Sequence, residues 1–503
     1  MFAIPARFHK MLIIIAMTAC FSMIFLNESG AIGVAFPDMQ KSLNLSNNAL
    51  QWVMNAFLLT AAMLLLLGGK LADHYGRRKI FIIGLIIFAV ASVICGAAQN
   101  TWMILSGRIL QAIGTSLAYP SGNALLSVSV PENEFNKIFG TVIGLAYLLV
   151  AFGPFIGGLF TEFLNWRWLF WINIFFSAIC IVVTLIAIPK DAAATSPPHL
   201  DIRGLIILMI GLGALVFGLM QAPVSGWDSG WIIGLFILGV LGLLLFIIVE
   251  LKTPDPLLEV RLFRNKGFMA GNIIFPCVAA CFTSLVFWAI WLQQTFHFSP
   301  VIAGVAMIPA TMISIFMLRI SGAWGDKAGP RPPMLLGAWL LVIGMYWIAF
   351  SADAQSYLLL FWGFLLFGFA TPLIIPNAIG SIVSSVEPSQ RGVASGVWLT
   401  LQHVAFSVGF AILSAVITTF DDKHLSRFLA SNPDYQGIDL HQVHVLLAGK
   451  NTIPQLDSAQ LQVLKQTAIK IYTHAFSFGM AAMGVFALIV LIMTIIFIPK
   501  RPQ

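Results

Sequence analysis

The chain alternates long apolar runs with short polar joints, and charge is almost confined to the ends of the runs. A helix needs roughly 20 apolar residues to cross a bilayer. Fourteen such runs are predicted. The first seven lie at about 11–36, 52–72, 80–98, 101–128, 138–161, 166–188 and 203–221. The rest lie at about 230–250, 268–295, 301–322, 334–351, 356–385, 393–419 and 471–498. An even number leaves both termini on one side. The stretch at about 420–470 is the one long polar segment, with a short amphipathic helix expected near 458–470. A solvated cap without binding duty is the plain reading of it.

One polar string punctuates this pattern twice. Gly69, Asp73, Gly76, Arg77 and Arg78 form a basic, glycine-bearing joint after the second run. A weaker copy, Gly322, Asp326, Gly329 and Arg331, follows 253 residues later, after the tenth. The offset pairs runs 1–6 with runs 9–14 and leaves runs 7 and 8 as an insert. The expected fold is therefore an all-α membrane protein. It has 14 transmembrane helices, in two pseudo-symmetric six-helix bundles plus an inserted central helix pair, with a site near the midplane between the halves. The expected divisions are residues 1–190, 191–267 and 268–503, the last carrying the outer loop at about 420–470.

Composition agrees. Of 503 residues, 59% are hydrophobic and 9% charged, and the mean hydropathy is +0.93. A soluble domain carries about 25% charged residues. The net charge of +7 could suggest nucleic acid, but the basic residues sit in short joints on one side of the runs. With the N-terminus cytoplasmic, the short outer joints hold only Lys41 and Arg167. The positive-inside rule then places both termini in the cytoplasm, as expected of a multi-pass protein of the cytoplasmic membrane. The run after Lys10 is about 25 residues long, longer than a signal-peptide core, and reads as a retained first helix. All five cysteines fall in apolar runs and read as packing residues, so neither a disulfide framework nor a metal site is expected.

The candidate chemistry is sparse. Glu28 is the only acid clearly within a span, where an ionisable group costs about 2.5–3.5 kcal/mol. Burial raises a carboxyl pKa and a nearby cation lowers it, so opposed effects can poise Glu28 as a proton-coupling site. Arg108, also within a span, is the expected counter-charge, since arginine does not shed its proton. The bland alternative for Glu28 is a static partner for Arg108 or a helix-packing hydrogen bond. Gly153, Pro154, Gly157 and Gly158 predict a bend and a thin packing face in the fifth helix. Polar candidates for a substrate pocket are Asn27, Asn55, Gln111, Gln293, Asn377 and Gln402. Tyr147, Trp288, Trp291, His403 and Phe406 are the aromatic ones, suited to stacking or cation–π contact. For any single aromatic, ordinary packing is the default. His403 reads as a hydrogen-bonded helix residue before it reads as a second proton carrier.

Taken in order, these motifs resemble the major facilitator superfamily, and within it the 14-helix drug:proton antiporter family. The first joint fits the superfamily's G-x-L-a-D-r-x-G-r-r motif at Gly69, Leu71, Ala72, Asp73, Gly76, Arg77 and Arg78, with His74 in place of the usual base. Arg108, Gln111 and Gly114 resemble the fourth-helix arginine motif. Gly153, Pro154, Gly157 and Gly158 resemble the fifth-helix antiporter motif. Asn165, Trp166, Arg167, Trp168 and Asn173 are similar to the signature opening the sixth helix of 14-helix members. Against the family's first-helix pattern, Glu28 stands where Asp is usual, and Gly30 and Gly33 replace Thr and Asn.

The resemblance implies proton-coupled efflux of lipophilic drug-like compounds by alternating access. It also implies a latch from Asp73 to the start of the thirteenth helix (Gly392 to Gly396) when the outside is open, repeated less completely by Asp326 and Arg331. The expected partners are a small lipophilic substrate, protons and membrane lipid, with no cofactor and no metal. The chain is expected to work as a monomer and not as an enzyme. An extracytoplasmic adaptor protein could dock on the outer loop, though nothing in it is diagnostic. A transporter of one specific metabolite is the alternative. A membrane enzyme or sensor would need a Ser/His/Asp or multi-histidine cluster within one leaflet; none is found, and His441 and His444 lie in the outer loop.

Overall fold

The computed structural model describes residues 6–28, 30–130, 132–188, 201–387, 390–447, 453 and 456–499. Among these, every regular element is helical. In the first half, α1 (Ala6–Glu28) and α2 (Gly30–Val34) make one broken span, extended by α3 (Phe36–Leu43). Then come α4 (Asn47–Tyr75), α5 (Arg77–Gly96), α6 (Thr101–Ser129), the bent pair α7 (Glu132–Ala151) and α8 (Gly153–Leu159), and α9 (Trp168–Ala187). The insert is α10 (Ile202–Ser225) and α11 (Gly230–Lys252). The second half begins with two more broken spans, α12 (Lys266–Phe282) with α13 (Ser284–Phe296), and α14 (Pro300–Ala306) with α15 (Ile308–Ala328). It ends with α16 (Arg331–Ala352), α17 (Tyr357–Ser384), α18 (Arg391–Ser431), the short α19 (Leu440–Leu447) and α20 (Ser458–Phe497).

Eleven helices are long and apolar enough to cross a membrane, and up to thirteen spans result if each of two bent pairs is one. The remaining predicted span corresponds to α6, 29 residues long. Arg108, Gln111, Asn123 and several hydroxyls dilute its apolar character, which is why it falls outside that set. The 253-residue offset is visible as geometry: the break after Glu28 has its counterpart after Phe282 in α12–α13.

Local signals start the helices where expected. Ser46 accepts from the Ala49 amide, and Asn100 from the Met103 amide, each satisfying a first-turn donor. Gly76, at φ +99°, makes the sharp turn between α4 and α5. Two boundaries differ from the sequence expectation. The predicted helix near 458–470 is not separate: Asp457 and Gln460 form a capping box, and α20 runs without interruption into the last span. Likewise α18 continues to Ser431, well past the predicted end near 419. What lies between is a folded cap with its own small core, including Leu425, Tyr435, Val443, Leu446 and Leu464.

Within the first half, α5 packs on α6 and α9, α4 on α6, and α1 on α7 and α9. Within the second, α16 packs on α17 and α20, and α12 on α17, α18 and α20. The halves meet along α4 and α18, α2 and α13, and α8 and α14. The insert leans on that seam through α10, which touches both α4 and α18. Its partner α11 turns mostly outward, only 17% of its apolar window being buried.

Candidate functional site

Glu28 ends α1 at the helix break, and this puts its carboxylate against the second half. Its Oε1 lies 3.0 Å from Nε2 of His403 on α18, with side chains 4% and 0% exposed. The other ring nitrogen, Nδ1, is 2.9 Å from the Leu399 carbonyl. A carbonyl only accepts, so Nδ1 carries a hydrogen. One proton is then left for the Nε2–Oε1 contact. It sits either on the carboxyl, giving a neutral pair, or on the ring, giving an ion pair. Tyr119 and Phe406 flank the imidazole, with centroids 6.0 and 6.2 Å away.

Arg108 is fully buried on α6 but makes no ion pair with Glu28 among the described residues. Its guanidinium is satisfied by neutral groups. Nε donates to the Val53 carbonyl at 2.8 Å, and Nη1 to Gln111 Oε1 at 2.7 Å and Asn27 Oδ1 at 3.4 Å. Nη2 reaches the Asn27 carbonyl at 3.2 Å, and the Phe57 ring lies 4.3 Å from the guanidinium carbon. Arg108 therefore bears on Glu28 through the neighbouring residue and through space. At contact distance the partner of Glu28 is His403.

Two residues outside the predicted pocket complete this network, Ser92 and Asn173, the latter part of the sixth-helix signature. Gln111 Nε2 donates to Ser92 at 2.9 Å, and Asn173 Oδ1 accepts from Asn27 at 3.2 Å. Asn173 Nδ2 in turn lies 3.5 Å from Ser92. The ring Asn27–Arg108–Gln111–Ser92–Asn173 ties α1, α5, α6 and α9 together behind Glu28. The available signal was weak: a serine and an asparagine at mid-helix depth, where polar groups tend to face the bundle interior.

Other predicted pocket residues divide three ways. Asn55 crosses the seam, accepting from Ser407 at 2.8 Å, while its Nδ2 is buried without a partner. Gln402, next to His403, likewise has a buried, unpartnered Oε1. Gln293 crosses the seam to the Val34 carbonyl at 2.9 Å. Trp288, Trp291 and Asn377 belong elsewhere. Both indoles are fully buried within the second half, Trp288 bonding Met480 Sδ at 3.1 Å, and Trp291 bonding Thr473 at 3.2 Å and stacking on Phe476. Asn377 bonds Ser321 on α15. Packing accounts for these three. The side chains of Tyr147 and Asp326 lie outside the described residues.

The seam is closed at the α19 end. A Cβ on Gly158 would sit 2.4 Å from the Pro300 carbonyl oxygen, and one on Gly304 would sit 2.3 Å from that of Pro154. Gly33 abuts the Val286 backbone in the same way, at 2.7 Å. Gly158 of the fifth-helix motif, and one of the glycines that replaced polar family residues, thus allow backbone to meet backbone across the halves, while Gly157 abuts Ala31 within the first half. At the opposite end Asp73 is 63% exposed and pairs with Arg77 at 2.9 Å. Arg78 donates to the Leu185 carbonyl, and Arg331 to that of Ile495. In this conformation Asp73 is engaged with its own joint, and among the described residues it makes no ion pair with α18.

The model of the Major Facilitator Superfamily matches residues 12–410. The tetracenomycin C resistance and export protein of Streptomyces glaucescens is 29% identical over 408 residues, 80% of this chain and 76% of that protein. The multidrug resistance protein Stp of Mycobacterium tuberculosis is 27% identical over 439 residues, 87% of this chain and 80% of Stp. Among solved structures, a bacterial homolog of the human lysosomal transporter Spinster superposes with a TM-score of 0.67 at 16% identity, covering 98% of this chain and 99% of that one.

Proposed function

The chain belongs to the major facilitator superfamily, and from that premise we propose that it exports lipophilic, drug-like compounds across the cytoplasmic membrane in exchange for protons. The observation that carries the reading is the Glu28–His403 contact, a buried proton-sharing pair spanning the two halves. The relatives named for resistance and export support the cargo class.

In this reading both termini are cytoplasmic and the α19 end faces outward. With the seam closed at that end, the approach in this reading is from the cytoplasm or inner leaflet. While the pair holds its proton, attraction between ring and carboxyl helps keep the outer seam shut. Loss of that proton to the cytoplasm leaves a neutral ring beside a carboxylate, and the link weakens. A cationic or neutral lipophilic cargo entering nearby can satisfy Asn55 Nδ2 and Gln402 Oε1, two of the buried polar atoms the resting state leaves unpaired. The halves then rock, cargo leaves outward, and Glu28 and His403 regain a proton from the outside before meeting again. Arg108, held by neutral groups behind the pair, fixes Asn27 next to Glu28 through that residue's carbonyl and side chain. Asp73 acts on the return side, latching the cytoplasmic end to α18 while the outer end is open.

The test is proton release by purified protein on ligand addition, with flux direction read in energised proteoliposomes. Wild type should release protons and move cargo against a pH gradient. Unchanged release from Glu28→Gln would sink the reading, and uptake in place of export would reassign the cargo to a metabolite.

A further inference from the structure

A second cluster of ionisable groups lies far from the proton pair. Asp421 and Asp422 stand about 27 Å along α18 from His403 at 1.5 Å per residue, where α18 leaves its apolar stretch. His444 of α19 folds down between them. Its Nε2 is 3.0 Å from Asp421 Oδ2 and 3.5 Å from Asp422 Oδ1. We propose that Asp421, Asp422 and His444 form a site for a divalent transition-metal ion of the zinc class, clipping the α19 cap to the end of α18.

Three observations bear on this. The first is charge: among the described residues the ion pairs of both aspartates are with this one imidazole. Asp421 is 2% exposed, and its Oδ1, like Asp422 Oδ1, is buried with no hydrogen-bond partner. Two carboxylates against a single ring leave negative charge uncompensated where burial makes that costly. The second is spacing: one donor atom from each residue lies within 4.8 Å of the others. Zinc held tetrahedrally at about 2.0–2.2 Å wants donor atoms about 3.3 Å apart; the two observed imidazole–carboxylate distances bracket that value. The third is room. Asp421 and His444 line a cavity of about 40 Å³, shared with Gln40, Asn47 and Gln51 of the first half. That is enough for a water to complete the coordination shell. The imidazole selects against calcium and magnesium, which prefer all-oxygen shells.

The proposal is independent of the proton-coupled reading. Its test uses the full-length protein in detergent after chelator treatment, with Zn²⁺ titrated by calorimetry and Co²⁺ by visible absorption. One equivalent of Co²⁺ should bind with intensified d–d bands and be displaced by Zn²⁺. Binding should fall at least tenfold in Asp421→Asn and in His444→Gln, and persist in His441→Gln on the same helix. His444→Cys, which keeps a ligand in place, should add a thiolate-to-cobalt charge-transfer band. Absence of stoichiometric binding in wild type, retained affinity in Asp421→Asn, or no charge-transfer band in a folded His444→Cys protein would each overturn the assignment.

Discussion

Glu28 and His403 are 375 positions apart in the chain and 3.0 Å apart in the fold. They bring the end of α1 against the first third of α18. Because the two residues belong to different halves, the proposed proton exchange would tie their protonation to the relative position of the halves. His403→Gln is the discriminating variant. A glutamine amide can fill the space but cannot carry the proton. Ligand-driven proton release should fall to background in it, as in Glu28→Gln, while ligand affinity stays within about tenfold, or ~1.4 kcal/mol. Coupled transport surviving in His403→Gln would reduce the histidine to a spacer.

Arg108 should not tolerate lysine. The guanidinium places donors on the Val53 and Asn27 carbonyls and on Gln111 at once, with a face against Phe57. An ammonium cannot reproduce that fork. Each buried acceptor left unpaired costs about 1–3 kcal/mol, so Arg108→Lys should lower the melting temperature as well as transport. Thermal unfolding in detergent separates this from a purely catalytic loss, in which Tm would not move.

Side chains on the seam glycines should favour the other conformation. Gly304→Ala sets a methyl group 2.3 Å from the Pro154 carbonyl oxygen, and overpacking of this kind costs about 1–3 kcal/mol. The clash exists only while the α19 end is closed. Engineered cysteines at that end should therefore become more reactive to a membrane-impermeant thiol reagent. Unchanged labelling would show that the helices relax around the methyl group with the seam still shut.

Asp73→Asn should behave in the opposite manner. In the conformation described here Asp73 is exposed, and its pair with Arg77 is worth about 0.3–0.5 kcal/mol. The substitution should leave thermal stability of this state unchanged and slow turnover severalfold by weakening a contact made after the halves rock. A large drop in Tm without any kinetic defect would count against a latch.

Much of this was legible from the chain itself. Apolar run length located the spans, the repeated joint exposed the duplication, and the cost of burying charge picked out Glu28 and Arg108. The partner of Glu28 was not legible. In a helix that is apolar almost all round, periodicity does not say which face looks across to another half, so His403 had no visible reason to meet α1. The same ambiguity let Trp288 and Trp291 pass as pocket residues when they pack inside one half. It also hid Ser92, an ordinary residue until the helices are placed, and the partners of Asn173. Asp421 and Asp422 were obscured for another reason: a helix expected to stop near 419 runs on to Ser431, and their partner His444 comes from a separate helix beyond it.

The position of α10 makes the molecule lopsided. Leu208, Leu212 and Val216 share one apolar cluster with Leu59 and Ala62 of α4 and with Ala411 of α18. One flank of the junction is thus permanently shingled. The complementary flank has no such cover from the insert, and a lipid-dissolved molecule should slip in sideways there. Photoreactive hydrophobic cargo should accordingly label junction residues on that flank and spare those of α4 and α18 that α10 covers, while the outward face of α11 meets lipid and is labelled in either case.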